Sequence, residues 1–152
     1  MKVMTQEEKE LLLKDLCARL YYEVKGIITS NGDKNIFTLK AITKKLFLES
    51  AILFLSGAEC CHVEDFKPYL RPMSSMTEEE RDELWHLSEE YFGKAIDKQI
   101  EESLSSSNRN ESEILEYIAS SVIVDWLNVH HFDHRGLIEK DLALEAPEGM
   151  YE

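Results

Sequence analysis

The stretch YYEVKGIITSNGDKNIFTLKAIT, residues 21–43, decides the fold class of this 152-residue chain. Tyr22, Val24 and Ile28 alternate with Glu23 and Lys25, and Phe37, Leu39 and Ala41 fall on one face of a second run, which is the period-2 pattern of half-buried strands. Between the runs stands Asn31-Gly32, the dipeptide that best tolerates the positive φ of a tight turn, so the segment predicts a β-hairpin.

The flanking sequence on either side of the hairpin is different. Upstream, in MTQEEKELLLKDLCARL, Thr5 and Glu8 have the spacing of a capping box, in which each side chain satisfies a backbone N–H at a helix start. Leu12, Leu13, Leu16 and Leu20 then recur at helical spacing, predicting an amphipathic helix from residue 6 to about 19. Downstream, KKLFLESAILFLSGAECCHVEDFKPYLRP carries short apolar runs. Periodicity leaves strand and helix both open over residues 44–55, and the strand-rich neighbourhood with Gly57 favours strands. Pro68 and Pro72 lack the N–H an inner strand donates, so this segment reads as a connector leaving the sheet.

A second capping box, Thr77 with Glu80, opens a helix expected to reach about Ser103. Leu84, Leu87, Tyr91 and Ala95 form one apolar line, and Trp85, Phe92, Ile96 and Ile100 a second, predicting a wide buried stripe. SLSSSNRNES follows as a loop, with mobility expected near residues 104–111. A third helix starts near Asn110 or Ser112. Ile114, Ile118, Val122 and Trp126, flanked by Ala119, Ile123 and Leu127, make it apolar around most of its girth and mark it as the most buried helix. In the tail, Leu142 and Leu144 alternate with Asp141 and Glu145 as an edge strand before Pro147 and Gly149 end the order.

The expected architecture is therefore a single α+β domain over residues 1–152. It comprises an N-terminal helix, a small bent antiparallel sheet or partial barrel over residues 21–71, and two longer helices. Charge divides the same chain unevenly. Residues 1–76 hold 11 Lys and Arg against 10 Asp and Glu, whereas residues 77–152 hold 6 against 20, so the helical part carries the whole net charge of −13. Such a balance argues against direct nucleic-acid binding, which depends on Lys and Arg displacing counterions from phosphates. There is no apolar run of membrane-spanning length and no basic, apolar leader, and the three cysteines, Cys17, Cys60 and Cys61, are odd in number; together these features predict a cytoplasmic protein with reduced thiols.

Three segments, TQEEKELLLKDLCARL at 5–20, EDFKPYLRPMSSMTEEE at 64–80 and DWLNVHHFDHRGLIEKDLALEAPEGMY at 125–151, carry a resemblance. Over a little under half its length the chain resembles a group of small uncharacterised proteins of gut Bacteroidales genomes and of their phages and mobile elements. The resemblance implies a bacterial, cytoplasmic, phage- or mobile-element-derived protein and carries no assigned activity.

Two clusters hold residue types that do chemistry. In HHFDHRG, residues 130–136, a continuing helix would set His130 and His134 four residues apart on one face with Asp133 beside them, a spacing by which two imidazoles and a carboxylate hold a metal. Gly136, and the fit of His and Arg to the negative end of a helix dipole, point instead to a helix end, and this reading outweighs the metal. In ECCHVED, Cys60 and His62 share one face of a strand and Cys61 takes the other. Glu59 and the downstream acids make a poor setting for an activated thiolate, so buried cysteine is the simpler reading. A Gly-rich phosphate loop, a Gly-x-Ser-x-Gly elbow and a Cys-x-x-Cys pair are all missing from the sequence. The leading expectation is a non-enzymatic interaction protein whose acidic helical face takes a basic partner, with a homodimer through the helix at 77–103 also open. The alternative is a metal-dependent hydrolase built on His130, Asp133 and His134, completed by Cys60 or His62.

Overall fold

The computed structural model describes residues 3–32, 34–43, 51–104 and 110–151, with the backbone alone over 95–104 and 110–117. Contacts divide the chain into two compact units, Met1–Met73 with Asn128–Glu152, and Ser74–Leu127. The first break lies near the charge break, whereas the last 25 residues, acidic in sequence, belong with the sheet.

The first unit opens with α1 (Gln6–Arg19), and its capping box is formed as the spacing predicts. Thr5 N donates to Glu8 Oε2 at 2.9 Å, and Glu8 N donates to Thr5 Oγ1 at 3.2 Å. Leu12 and Leu16 are fully buried, and Leu13 and Leu20 pack against the same core. A single 3-10 turn, Leu20–Tyr22, and the left-handed Glu23 (φ 55°) then turn the chain, so the first strand starts at Lys25, later than the alternation from Tyr22 suggests.

The strands are β1 (Lys25–Ile28), β2 (Ile36–Thr43), β3 (Ile52–Leu55), β4 (Cys60–His62), β5 (Phe66–Leu70) and β6 (Leu144–Glu145), in the spatial order β4-β3-β2-β1-β5-β6. The fold is α+β as expected, but the sheet is mixed and not closed. β6 pairs with β5 in parallel, Tyr69 with Leu144 and Leu70 with Glu145, so the tail adds the expected edge strand but in the parallel direction. The hairpin β1–β2 is present, with Lys25 opposite Thr38 and Ile27 opposite Ile36. Residues 52–55 take the strand alternative; residues 44–50 of that segment, and 105–109 of the predicted loop, lie outside the described residues.

Two corrections concern strand faces. The register of β2 on β3 shifts between Leu39 and Ala41: Leu39 lies opposite the buried Leu55, whereas Ala41 lies opposite the exposed Phe54. One extra residue in a strand reverses the parity of everything beyond it, so Ile42, not Ala41, joins Leu39 on the core side. Pro68 does not lead out of the sheet; it lies within β5, opposite Gly26. A proline fits a strand where its nitrogen faces no ladder acceptor, and β6 takes up its pairing with β5 only at Tyr69.

In the second unit, Thr77 N donates to Glu80 Oε1 and Glu80 N to Thr77 Oγ1, both at 3.1 Å, capping α2 (Glu78–Leu104). α3 spans Asn110–Val129. Neither described stripe is as buried as its apolar pattern predicts. Leu84, Leu87, Tyr91 and Phe92 are half-buried and Trp85 is 61% exposed. On α3, Ala119, Trp126 and Leu127 are buried, but Ile118, Val124 and Val129 are exposed, so this helix is not enclosed around its girth.

Candidate functional site

Most of the buried polar side chains of the first unit gather where α1 meets the segment after α3. The buried face of α1 continues past Leu12 and Leu16 with Asp15 and Arg19, both without solvent exposure. Arg19 Nε donates to Asp15 Oδ2 at 2.8 Å, Arg135 Nη1 donates to Asp15 Oδ1 at 2.8 Å, and Arg19 Nη2 donates to the Phe132 carbonyl at 2.5 Å. One carboxylate thus holds two guanidiniums, one from its own helix and one from 120 residues further along.

The helix stops at Val129, which decides the reading of the histidine cluster. His131 adopts a left-handed backbone (φ 63°), with its N–H on the Asn128 carbonyl at 3.1 Å, and ends the helix before Gly136 is reached. The chain then runs along the end of β5: Arg71 N donates to His131 O and Asp133 N to Arg71 O, each at 2.8 Å, around a parallel bridge between Arg71 and Phe132. With no helix through 130–134, the i, i+4 alignment of His130 and His134 does not arise. The Asp133 carboxylate accepts from Leu137 N at 2.9 Å and Ile138 N at 3.0 Å, closing the turn that contains Gly136 (φ 71°). His134 Nε2 lies 2.8 Å from Asn128 Oδ1. Among the described residues no group of three or more His, Cys, Asp or Glu side chains is arranged to hold a metal ion.

Electrostatics agree with a structural role for this cluster. Burial, then the neighbouring basic groups, Arg19 foremost, push the His131 imidazole down to about 4, so it is neutral at physiological pH. Its ring stacks on Tyr151 with centroids 3.6 Å apart, and the Tyr151 hydroxyl accepts from Lys25 N at 2.9 Å and donates to Tyr69 O at 2.7 Å. Burial pushes that phenol up to about 12. Order therefore does not end at Pro147 and Gly149; the tail is fastened to β1 and β5 by its penultimate residue. His134 is also pushed down, first by burial and then by Arg135 and Arg19.

Cys60 and His62 are exposed on β4, at the opposite edge of the sheet from β5 and β6, and do not join the histidines. Cys61 packs against the core, and burial followed by Asp65 pushes its thiol up to about 12, the reverse of what a nucleophile needs. A separate cleft of about 600 Å³ is lined by Met4, Lys9, Thr29, Glu64, Lys67 and Asp141, with Lys9 paired to Glu64 at 3.7 Å and Lys67 to Asp141 at 2.6 Å. None of the five histidines borders it.

The chain matches no protein-family model, no curated protein and no solved structure. Its function must be argued from its own residues.

The second unit supplies the remaining feature. Along the described turns of α2, Glu78, Glu79, Asp82, Glu83, Glu89 and Glu90 are all exposed. At about 100° per residue these six fall within an arc of roughly 140°, and Trp85 stands at its border. Trp85, Ser88, Glu89, Phe92 and Gly93 line a shallow hollow on this helix. Charge alone foretells the acidic face, but the exposure of Trp85 has no signal in a pattern that places it on an apolar line.

Proposed function

We propose that this chain is a non-enzymatic interaction protein whose acidic second helix takes a basic partner, in an accessory role of the phage or mobile-element kind that the sequence resemblance implies. The observation that carries the reading is the 61% exposure of Trp85 beside six exposed carboxylates. Solvated acids alone are common at a helix start, where they complement the dipole. A large aromatic left in water beside them is the residue type that anchors interfaces, and its ring face attracts Lys and Arg side chains. Support also comes from the histidine cluster, whose Asp133 and His134 are committed to hydrogen bonds within the chain.

The test is a titration of the full chain with a Lys- and Arg-rich peptide lacking tryptophan, followed by tryptophan emission. Binding at low ionic strength is expected to shift the emission of Trp85, to weaken as salt is raised toward about 0.5 M, where screening acts within a few ångströms, and to vanish in Trp85→Ala. An emission unchanged at low salt, or a capture indifferent to salt, overturns the reading.

A further inference from the structure

The cleft beside α1 lies wholly within the first unit and carries two ion pairs of different character. Lys67 Nζ donates to Asp141 Oδ1 at 2.6 Å, a charge-assisted hydrogen bond that closes the pair. Lys9 Nζ stands 3.7 Å from Glu64 Oε1, too far for a hydrogen bond, and neither side chain has another partner among the described residues. Glu64 Oε2 is itself buried and accepts no hydrogen bond from a described residue. The two side chains are 23% and 30% exposed, so an ammonium and a carboxylate stand side by side, largely withdrawn from solvent, with hydrogen bonds still to make.

This open pair selects the ligand. A cation alone would settle on Glu64 against the repulsion of Lys9, and an anion alone would reverse the conflict. A zwitterion meets both charges. In an α-amino acid the ammonium and the carboxylate hang from one carbon, roughly 3 Å apart by standard bond lengths, so one molecule can donate to Glu64 Oε2 and accept from Lys9 Nζ. Of the other acids on the lining, Glu8 accepts from Thr5 N and Asp141 from Lys67, which leaves Asp65 to favour the ammonium end. Met4 and Leu142 give the cleft an apolar wall, and its volume of about 600 Å³ falls in the roughly 300–1,000 Å³ of small-molecule sites. We propose that the cleft binds a free α-amino acid with an apolar side chain, its charged end across Lys9 and Glu64 and its side chain against Met4 and Leu142. The site does not depend on the reading of α2.

The test is calorimetric titration of the full chain with L-leucine, beside leucinamide, which keeps only the cation, and N-acetyl-leucine, which keeps only the anion, at a pH slightly below neutral. L-leucine is expected to bind at least tenfold more tightly than either analogue. Lys9→Met and Glu64→Gln, both at partly exposed positions, are each expected to weaken leucine at least tenfold without lowering the thermal melt of the free chain. Leucinamide binding as tightly as leucine would make this a site for cations and overturns the proposal, and N-acetyl-leucine doing so overturns it likewise. No binding of leucine at its solubility limit, or binding indifferent to both substitutions, has the same consequence. The comparison of the three ligands uses the unaltered chain, so it decides the matter even where a variant folds poorly.

Discussion

The ring of Tyr151 lies flat on that of His131, with planes inclined by 13° and centroids 3.6 Å apart. This contact joins the end of the chain to the turn after α3, and the phenol reaches beyond it to bridge Lys25 N of β1 and Tyr69 O of β5. Backbone groups of two strands thus depend on one side chain at the far terminus.

Replacing Tyr151 with alanine removes the stack and leaves the Lys25 N–H and the Tyr69 carbonyl without that hydroxyl. Loss of a half-buried aromatic and its hydrogen bonds is expected to destabilise by about 2–4 kcal/mol. Tyr151→Phe, which keeps the stack, should lose only about 1–2 kcal/mol. Urea unfolding of the two variants at neutral pH measures both; equal losses would show that the hydroxyl and not the ring holds the tail.

Acid should weaken the fold through His131. Its folded pKa, about 4, lies below the ordinary 6.5, so as pH falls from 6.5 to 4 the unfolded chain takes up a proton that the folded protein refuses. Stability is full above 6.5 and declines through that window by an amount on the order of 3 kcal/mol for a histidine this buried. His134, shifted in the same direction, adds to the slope. Unfolding free energies at pH 7.5 and pH 5 should differ accordingly, and His131→Phe, which stacks but does not titrate, should flatten the difference.

Asp15 is the carboxylate on which Arg19 and Arg135 converge, and Arg19 has no exposed surface. Asp15→Ala strands a buried guanidinium and is expected to cost about 3–5 kcal/mol. The double variant Asp15→Leu with Arg19→Met removes both charges and should be less destabilised than Asp15→Ala. A double-mutant cycle by chemical denaturation supplies the coupling; strict additivity would mean that the pair does not interact.

How far the sequence reveals these features depends on how local they are. α1 and both capping boxes are legible because three-residue spacings fix them, and the strand reading of residues 52–55 follows from apolar runs broken by Gly57. The bulge in β2 is not legible: residues 37–41 alternate without a break, and only pairing with β3 shows Ala41 turned away from the core. Nor is the parallel pairing of Leu144 with Tyr69, which joins residues 75 apart in sequence. The buried Asp15 and Arg19 left a trace, a four-residue acid–base spacing on the Leu12–Leu16 stripe, that an apolar pattern passes over. The histidine cluster turned on where one helix stops. Had α3 run on past Val129, His130 and His134 would have shared a face; the left-handed His131 sends them apart.

Gly26 yields the sharpest stability test because its need for glycine comes from space and not from backbone angle. It lies in β1 opposite Pro68, and a Cβ placed there would run into the ring of Phe66 and the carbonyl oxygen of Lys67. Phe66 is fully buried in the core and the carbonyl is backbone, so neither can move aside without shifting the β1–β5 pairing. Gly26→Ala is expected to destabilise by about 2–4 kcal/mol, in the range of overpacked cores. Gly32 provides the contrast. Nothing lies within 4 Å of a Cβ built there, and only its φ of +71° penalises alanine, by about 1 kcal/mol. Thermal melts of the two variants should rank them in that order, and Gly26→Ala melting at or above Gly32→Ala would mean that β1 and β5 approach less closely than this register requires.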